Sequence, residues 1–181
     1  PFQGHLVRPS DHQEPEKIAW FQCVGSRDIN HCDNSYCSSV CCMYAIKQAV
    51  IAKEHASNGL ETAIFFMDMR TFGKDFERYY DRAKEEHGVR FLRSRVHSID
   101  PEPHTDNLVI SYVDEVGRVK EEVFDLVVLS VGIQTPAELV KMSEQLGIDL
   151  DPDRFCSSSS FQPAATSRPG IFVCGAFQGP K

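Results

Sequence analysis

Cys23–Cys42, CVGSRDINHCDNSYCSSVCC, holds five of the chain's seven cysteines, and the rest of the chain is read outward from it. Upstream lies Ile18–Val24 (IAWFQCV), an apolar run with the aromatic and β-branched content of a strand. Downstream, Val40–His55 (VCCMYAIKQAVIAKEH) has helical periodicity. Ala45, Ala49, Ala52 and Ala56 form a small-residue stripe, and Met43, Ile46 and Val50 add apolar bulk. A strand, a turn and a helix in that order is where a dinucleotide-binding βαβ unit carries its glycine-rich phosphate loop. Here thiols take that place.

The spacing narrows what the thiols can do. Cys37 and Cys41 are four apart and share a helix face, Cys42 is rotated off by one residue, and Cys23 arrives from the strand end. Four thiols can therefore converge. No two cysteines have the C-x2-C spacing of a zinc knuckle or a thioredoxin-type redox pair. An iron–sulfur cluster also takes four thiolates, and its irons are far enough apart to accept neighbours such as Cys41 and Cys42. A helix N-terminus adds orphan N–H groups and the positive end of its dipole, both of which favour thiolate. The bland alternative treats the cysteines as small buried hydrophobes. It accounts poorly for five of them among Ser26, Asp28, Asn30, Asp33, Asn34 and Ser35.

The 181 residues suffice for a domain with a sizeable core, and 41% hydrophobic with 25% charged residues is a globular composition. A formal net charge of -7 without a Lys/Arg run argues against a nucleic-acid partner. No apolar run has the length of a membrane helix, and PFQGHLVRPSDHQEPEK lacks a signal-peptide core, so a cytoplasmic protein is expected. An odd, clustered set of cysteines suits a reduced, metal-binding interior better than a disulfide framework. The chain reads as a fragment of something larger.

Residues 1–17 read as an extended lead-in, 18–131 as a βαβ unit with the cysteine loop, and 132–181 as an incomplete return segment. Asn58-Gly59 is the expected stop of the first helix. Thr62–Met69 is a strand of the kind buried on both faces, ending near Asp68, where a nucleotide-binding domain keeps an acid for the ribose. A charged loop residue is an equal account of Asp68. Asp75–His87 is helical, Val89–Ile99 begins a third strand, Leu108–Val113 and Val119–Val123 form a meander, and Phe124–Val131 is another buried strand. The class is α/β: a Rossmann-like three-layer domain with the plan of the pyridine-nucleotide domain of flavoprotein disulfide reductases. No G-x-G-x-x-G occurs, which argues against a nicotinamide nucleotide. Pro136–Leu146 is a short helix, and Gly170–Gly175 (GIFVCG) reads as a strand returning to a flavin domain. Cys156 and Cys174 read as packing or unpaired residues.

Four blocks carry a family resemblance: RPSD at Arg8–Asp11, QCVGSRD at Gln22–Asp28, YCSSVCCMYAIKQA at Tyr36–Ala49 and SRPGIFVCGAFQGPK at Ser167–Lys181. In these the chain closely resembles the A-type, iron–sulfur subunit of heterodisulfide reductases and its bacterial homologues. The resemblance implies an oxidoreductase component carrying FAD and 4Fe-4S clusters, in complexes that split electron pairs at a flavin. Carried over, the cluster ligands are Cys23, Cys37, Cys41 and Cys42. The remaining edge of the flavin site is Gly132, Thr135, Gly175, Ala176, Phe177 and Lys181. The implied partners are other heterodisulfide reductase subunits, a hydrogenase- or dehydrogenase-type electron donor, ferredoxin and, for a homodimer, a second copy. Cys32 departs from the pattern by adding a thiol inside the loop. Two other functions compete: a nucleotide-binding oxidoreductase domain without a cluster, and a docking module braced by structural zinc.

Overall fold

The computed structural model describes residues 4–179. The elements in chain order are β1 (Lys17–Val24), α1 (Ile29–Cys32), α2 (Cys41–His55), β2 (Glu61–Phe66), α3 (Phe76–Glu85) and β3 (Arg90–Arg93). They continue with β4 (Ser98–Pro101), β5 (Leu108–Val113), β6 (Val119–Phe124), β7 (Leu126–Val131), α4 (Ala137–Leu146) and a 3-10 turn, Gly175–Gln178. The chain divides into two units. One takes the residues up to Val24 with Cys41–Val131, the other Gly25–Val40 with the residues from Gly132 on.

The first unit is the expected three-layer α/β plan. Its parallel sheet has the order β3-β2-β1-β7, and β4-β5-β6 forms an antiparallel meander. Alternation along β1 explains the layering. Ile18 and Trp20 pack with Ala45, Ile46 and Ala49 of α2, whereas Ala19 and Phe21 pack with Ile110 and Phe124 of the meander. With both faces covered, β1 and β2 are apolar through their centres, residues 18–21 and 63–66. The alanine stripe brings α2 close to the sheet, and the Trp20 indole N–H donates to Gln48 Oε1 at 3.0 Å. Phe65 is the hub of the meander side, edge-on to Phe21, Tyr112 and Phe124 at 5.4, 5.0 and 6.0 Å.

Glu122 of β6 ties the layers together. Its carboxylate accepts from Arg90 Nη1 and Nη2 at 2.5 and 3.1 Å, and lies 2.8 Å from Lys17 Nζ. Burial pushes its pKa up, but the hydrogen bonds and charges of Arg90 and Lys17 outweigh this and hold it at about 2.

Three details depart from the sequence reading. The single strand begun at Val89 is two strands, β3 in the parallel sheet and β4 in the meander. Helix α2 ends at His55, before Asn58-Gly59; Asn58 Nδ2 instead donates to Pro15 O at 3.1 Å. No strand forms over Gly170–Gly175, where one bridge joins Phe172 to Ala165. Pro169 has no N–H to offer and Gly175 takes φ +73, so the segment is stopped at both ends. The second unit instead holds its return segment by turn bonds and a small core of Ile148, Cys156 and Val173.

Candidate functional site

In the first unit, Cys23 sits in a β-bulge. Pairing of β1 with β7 runs to Phe21↔Leu129 and resumes one step out at Val24↔Val131, so Gln22 and Cys23 together oppose Ser130. A bulge re-aims a side chain, and Cys23 takes φ +61 to do it. Cys41 and Cys42 are the first two residues of α2, 8% and 7% exposed. The Cys41 thiol donates to Val131 O at 3.4 Å, and Cys42 Sγ accepts the Arg70 N–H at 3.4 Å. Asp68, the candidate ribose acid, is engaged by the Arg70 guanidinium, with Nε and Nη2 both 3.2 Å from Oδ2.

In the second unit, Cys37 is half-buried and its Sγ accepts the Ser39 N–H at 3.3 Å. Cys32, the extra thiol, ends α1 and is exposed. Sequence reasoning missed α1, although Asp28 is an N-cap signal: its side chain accepts the His31 N–H at 3.2 Å. Ser26 and Ser38, both buried, were missed as well. Their hydroxyls lie 3.2 Å apart, and Ser38 Oγ accepts the Ile133 N–H at 2.8 Å. Tyr36 donates to Ile133 O at 2.6 Å and stacks edge-on against Phe155. A Cβ on Gly132 would lie 2.1 Å from Ser26 Oγ and 2.3 Å from Ser38 Oγ, so only glycine fits there.

Backbone strain is concentrated in the cysteine block. Cys23, Arg27, Asp33 and Ser39 all take positive φ within 17 residues, and they are half of the eight described non-glycine residues that do. Each costs on the order of 1 kcal/mol or more, and such conformations persist where function requires them and the surroundings enforce them.

Thiols are the donor type that an iron–sulfur cluster takes. No disulfide joins the described cysteines, and N–H groups are already aimed at two of the four candidate sulfurs. Among the described residues no three Cys, His, Asp or Glu side chains gather as a single metal ion requires. A four-iron cube holds its thiolates farther apart than one zinc ion does.

The described residues proposed for the flavin edge all lie in the second unit. Thr135 is 8% exposed, and its hydroxyl has no hydrogen-bond partner. It lines a polar cavity of about 640 Å³ with Asn34, Tyr36, Asp153 and Arg154, and Cys32 also lines it. At Gly175 nothing lies within 4 Å of where a side chain would begin, leaving the backbone open to a planar cofactor. Ala176 is exposed, and Phe177 O accepts the Cys156 N–H at 2.9 Å. Lys181 lies outside the described residues.

A parallel sheet with a meander layer, lacking the glycine fingerprint and bearing thiols in its place, defines a modified nucleotide domain of the flavoprotein reductase class. Residues 40–181 match the family model for pyridine nucleotide-disulphide oxidoreductases, and the chain belongs to that family. Across its whole length it is 44% identical to a CoB–CoM heterodisulfide reductase iron-sulfur subunit of Methanopyrus kandleri. It is 42% identical to a subunit of the H(2)/formate:CoB-CoM heterodisulfide,ferredoxin reductase of Methanococcus maripaludis. The chain spans 28% of the length of each. Among solved structures it resembles LpdA from Mycobacterium tuberculosis in fold, with a TM-score of 0.56 and 14% identity over 93% of this chain and 31% of that one. Among the described residues no helix is long and apolar enough to cross a membrane.

Proposed function

We propose that the chain is the cluster-bearing segment of a cytoplasmic, heterodisulfide reductase-like flavoprotein that moves electrons to or from FAD. Cys23, Cys37, Cys41 and Cys42 hold a 4Fe-4S cluster as thiolates. Gly132, Thr135, Gly175, Ala176, Phe177 and Lys181 form one edge of the FAD site. When bound, the cluster supplies a one-electron relay for the two-electron flavin. Arg70 and Ser39 donate N–H groups to sulfur, which draws charge off the thiolates and raises the reduction potential. The first turn of α2 acts in the same direction through its orphan N–H groups. Burial of Cys41 and Cys42 keeps water from the sulfurs. The Thr135 hydroxyl gives the flavin a polar contact that no protein group uses.

The observation that carries this reading is the pair of N–H···S bonds on Cys37 and Cys42. In the whole protein the partners are the other heterodisulfide reductase subunits, a hydrogenase- or dehydrogenase-type donor and ferredoxin, with a homodimer as the assembly of the chain itself. Reconstitution without air tests the cluster. We expect about four iron and four sulfide per chain, with visible absorption bleached by dithionite. Cys41→Ser should lose them. Unchanged iron in that variant would overturn the ligand set, and one zinc per chain would replace the relay with a structural ion.

A further inference from the structure

In the first unit, a groove of about 560 Å³ is lined by α2, α3 and the loop before α3. Its walls carry Lys47, Lys74, Arg78 and Arg82 against one carboxylate, Asp75, in a chain whose formal net charge is -7. Asp75 reaches Arg78 at 3.5 Å and Glu86 reaches Arg82 at 3.4 Å, both pairs well exposed. Among the described residues Lys47 and Lys74 have no ion-pair partner to cancel their charge.

The floor is Met43, Tyr79 and Phe76, the last 42% exposed. Gly73, at φ +122, leaves room for that ring, which a Cβ would meet at 3.0 Å. Phe72 and Tyr44 are exposed nearby in the sequence. Aromatic rings, methionine and arginine within a charged rim are the composition of a protein-docking face. Position adds to this: Met43 follows Cys42 directly, and Cys41 to Lys47 spans about 9 Å of helix axis.

We propose that this groove docks a small acidic electron-carrier protein, whose carboxylates meet Lys47, Lys74, Arg78 and Arg82 beside the thiol end of α2. In a productive encounter a cluster held by Cys23, Cys37, Cys41 and Cys42 would accept the one electron that the carrier gives up, with no bond or proton changing hands. The electron step rests on the cluster reading above; the docking rests on the groove alone. Cations drawn from two helices and a loop, with aromatic rings among them, favour a protein surface over a small polyanion.

The test uses the full-length protein loaded with cluster and flavin, and a bacterial ferredoxin carrying two 4Fe-4S clusters as the probe. Binding is measured by calorimetry at about 50 and about 200 mM NaCl. We expect the wild-type affinity to fall about tenfold between the two salts. The double variant K47E/R82E should bind about tenfold or more weakly at low salt and lose most of the salt dependence, with iron, sulfide and flavin contents unchanged. K120E, the same charge reversal on the exposed meander, should leave affinity as it was. Equal weakening by K120E, or none by K47E/R82E, overturns the docking face. Displacement of the probe by sub-millimolar inorganic pyrophosphate also overturns it and assigns the groove to a small polyanion. A full-length protein that binds the probe through this face but contains no iron sinks the cluster reading and leaves the docking face standing.

Discussion

Ala49 in the first unit and Ser38 in the second are both almost wholly buried, 0% and 1% exposed, yet they hold their surroundings together by opposite means. Ala49 contributes the absence of bulk, which brings α2 onto a sheet whose cohesion is spread over two apolar clusters. Ser38 contributes one oxygen, which satisfies the Ile133 N–H and meets Ser26 over a glycine. Cohesion spread over area tolerates local change. Cohesion concentrated in a few hydroxyls and amides does not, but it can hold a backbone in strained conformations that burial alone would let relax.

The largest effect should come from the hub of the area-based unit. Phe65→Ala removes a ring that three others meet edge-on, at a cost of about 3–5 kcal/mol. Hydrogen exchange should show the loss in the amides of β1, β2 and β5 together. A loss confined to Phe65's own strand would mean that the core is less shared than its packing indicates. Next comes Gly132→Ala, which forces a Cβ onto two serine oxygens and should cost about 3 kcal/mol. Its signature is rapid proteolysis within 25–40. Adding Ser26→Ala should recover part of the loss, and a double-mutant cycle with no coupling would break the comparison.

How much of this was visible in the sequence follows the same division. β1, β2, α2 and β7 were readable because area-based cohesion writes itself as periodicity, every second or every third and fourth residue. The split between β3 and β4 was not, because Ser98 pairs with Ser111 by sheet geometry that no local run encodes. The bulge at Cys23 depends on the partner strand β7, more than a hundred residues away in the chain. Ser26 and Ser38 look like loop residues, and only their meeting with Gly132 reveals that they hold the backbone there. The cysteines were visible as a cluster by number and spacing. The N–H groups that Arg70 and Ser39 aim at them belong to the backbone and leave no mark in the sequence.

The two smallest predicted effects sharpen the comparison by crossing it, since one places a polar device in the area-based unit. Glu122→Gln leaves Arg90 and Lys17 against a neutral amide and should cost about 2 kcal/mol. The folded carboxyl titrates at about 2, below its ordinary 4.5, so its contribution is complete above pH 4.5 and is lost as pH falls toward 2. Urea midpoints of wild type and variant should therefore differ at pH 7 and converge near pH 2; a constant gap would place the effect outside ionisation. Ser38→Ala comes last, at about 1–2 kcal/mol, because it strands one buried N–H while the Tyr36 bond to Ile133 remains. Its informative readout lies next to the serine: Ser39 holds φ +59 and donates to Cys37 Sγ. If the hydroxyl network enforces that strain, Ser38→Ala should speed alkylation of Cys37 several-fold while leaving Cys42 unchanged. An unchanged alkylation rate of Cys37 in the variant would mean that the strained loop is held by something other than its serines.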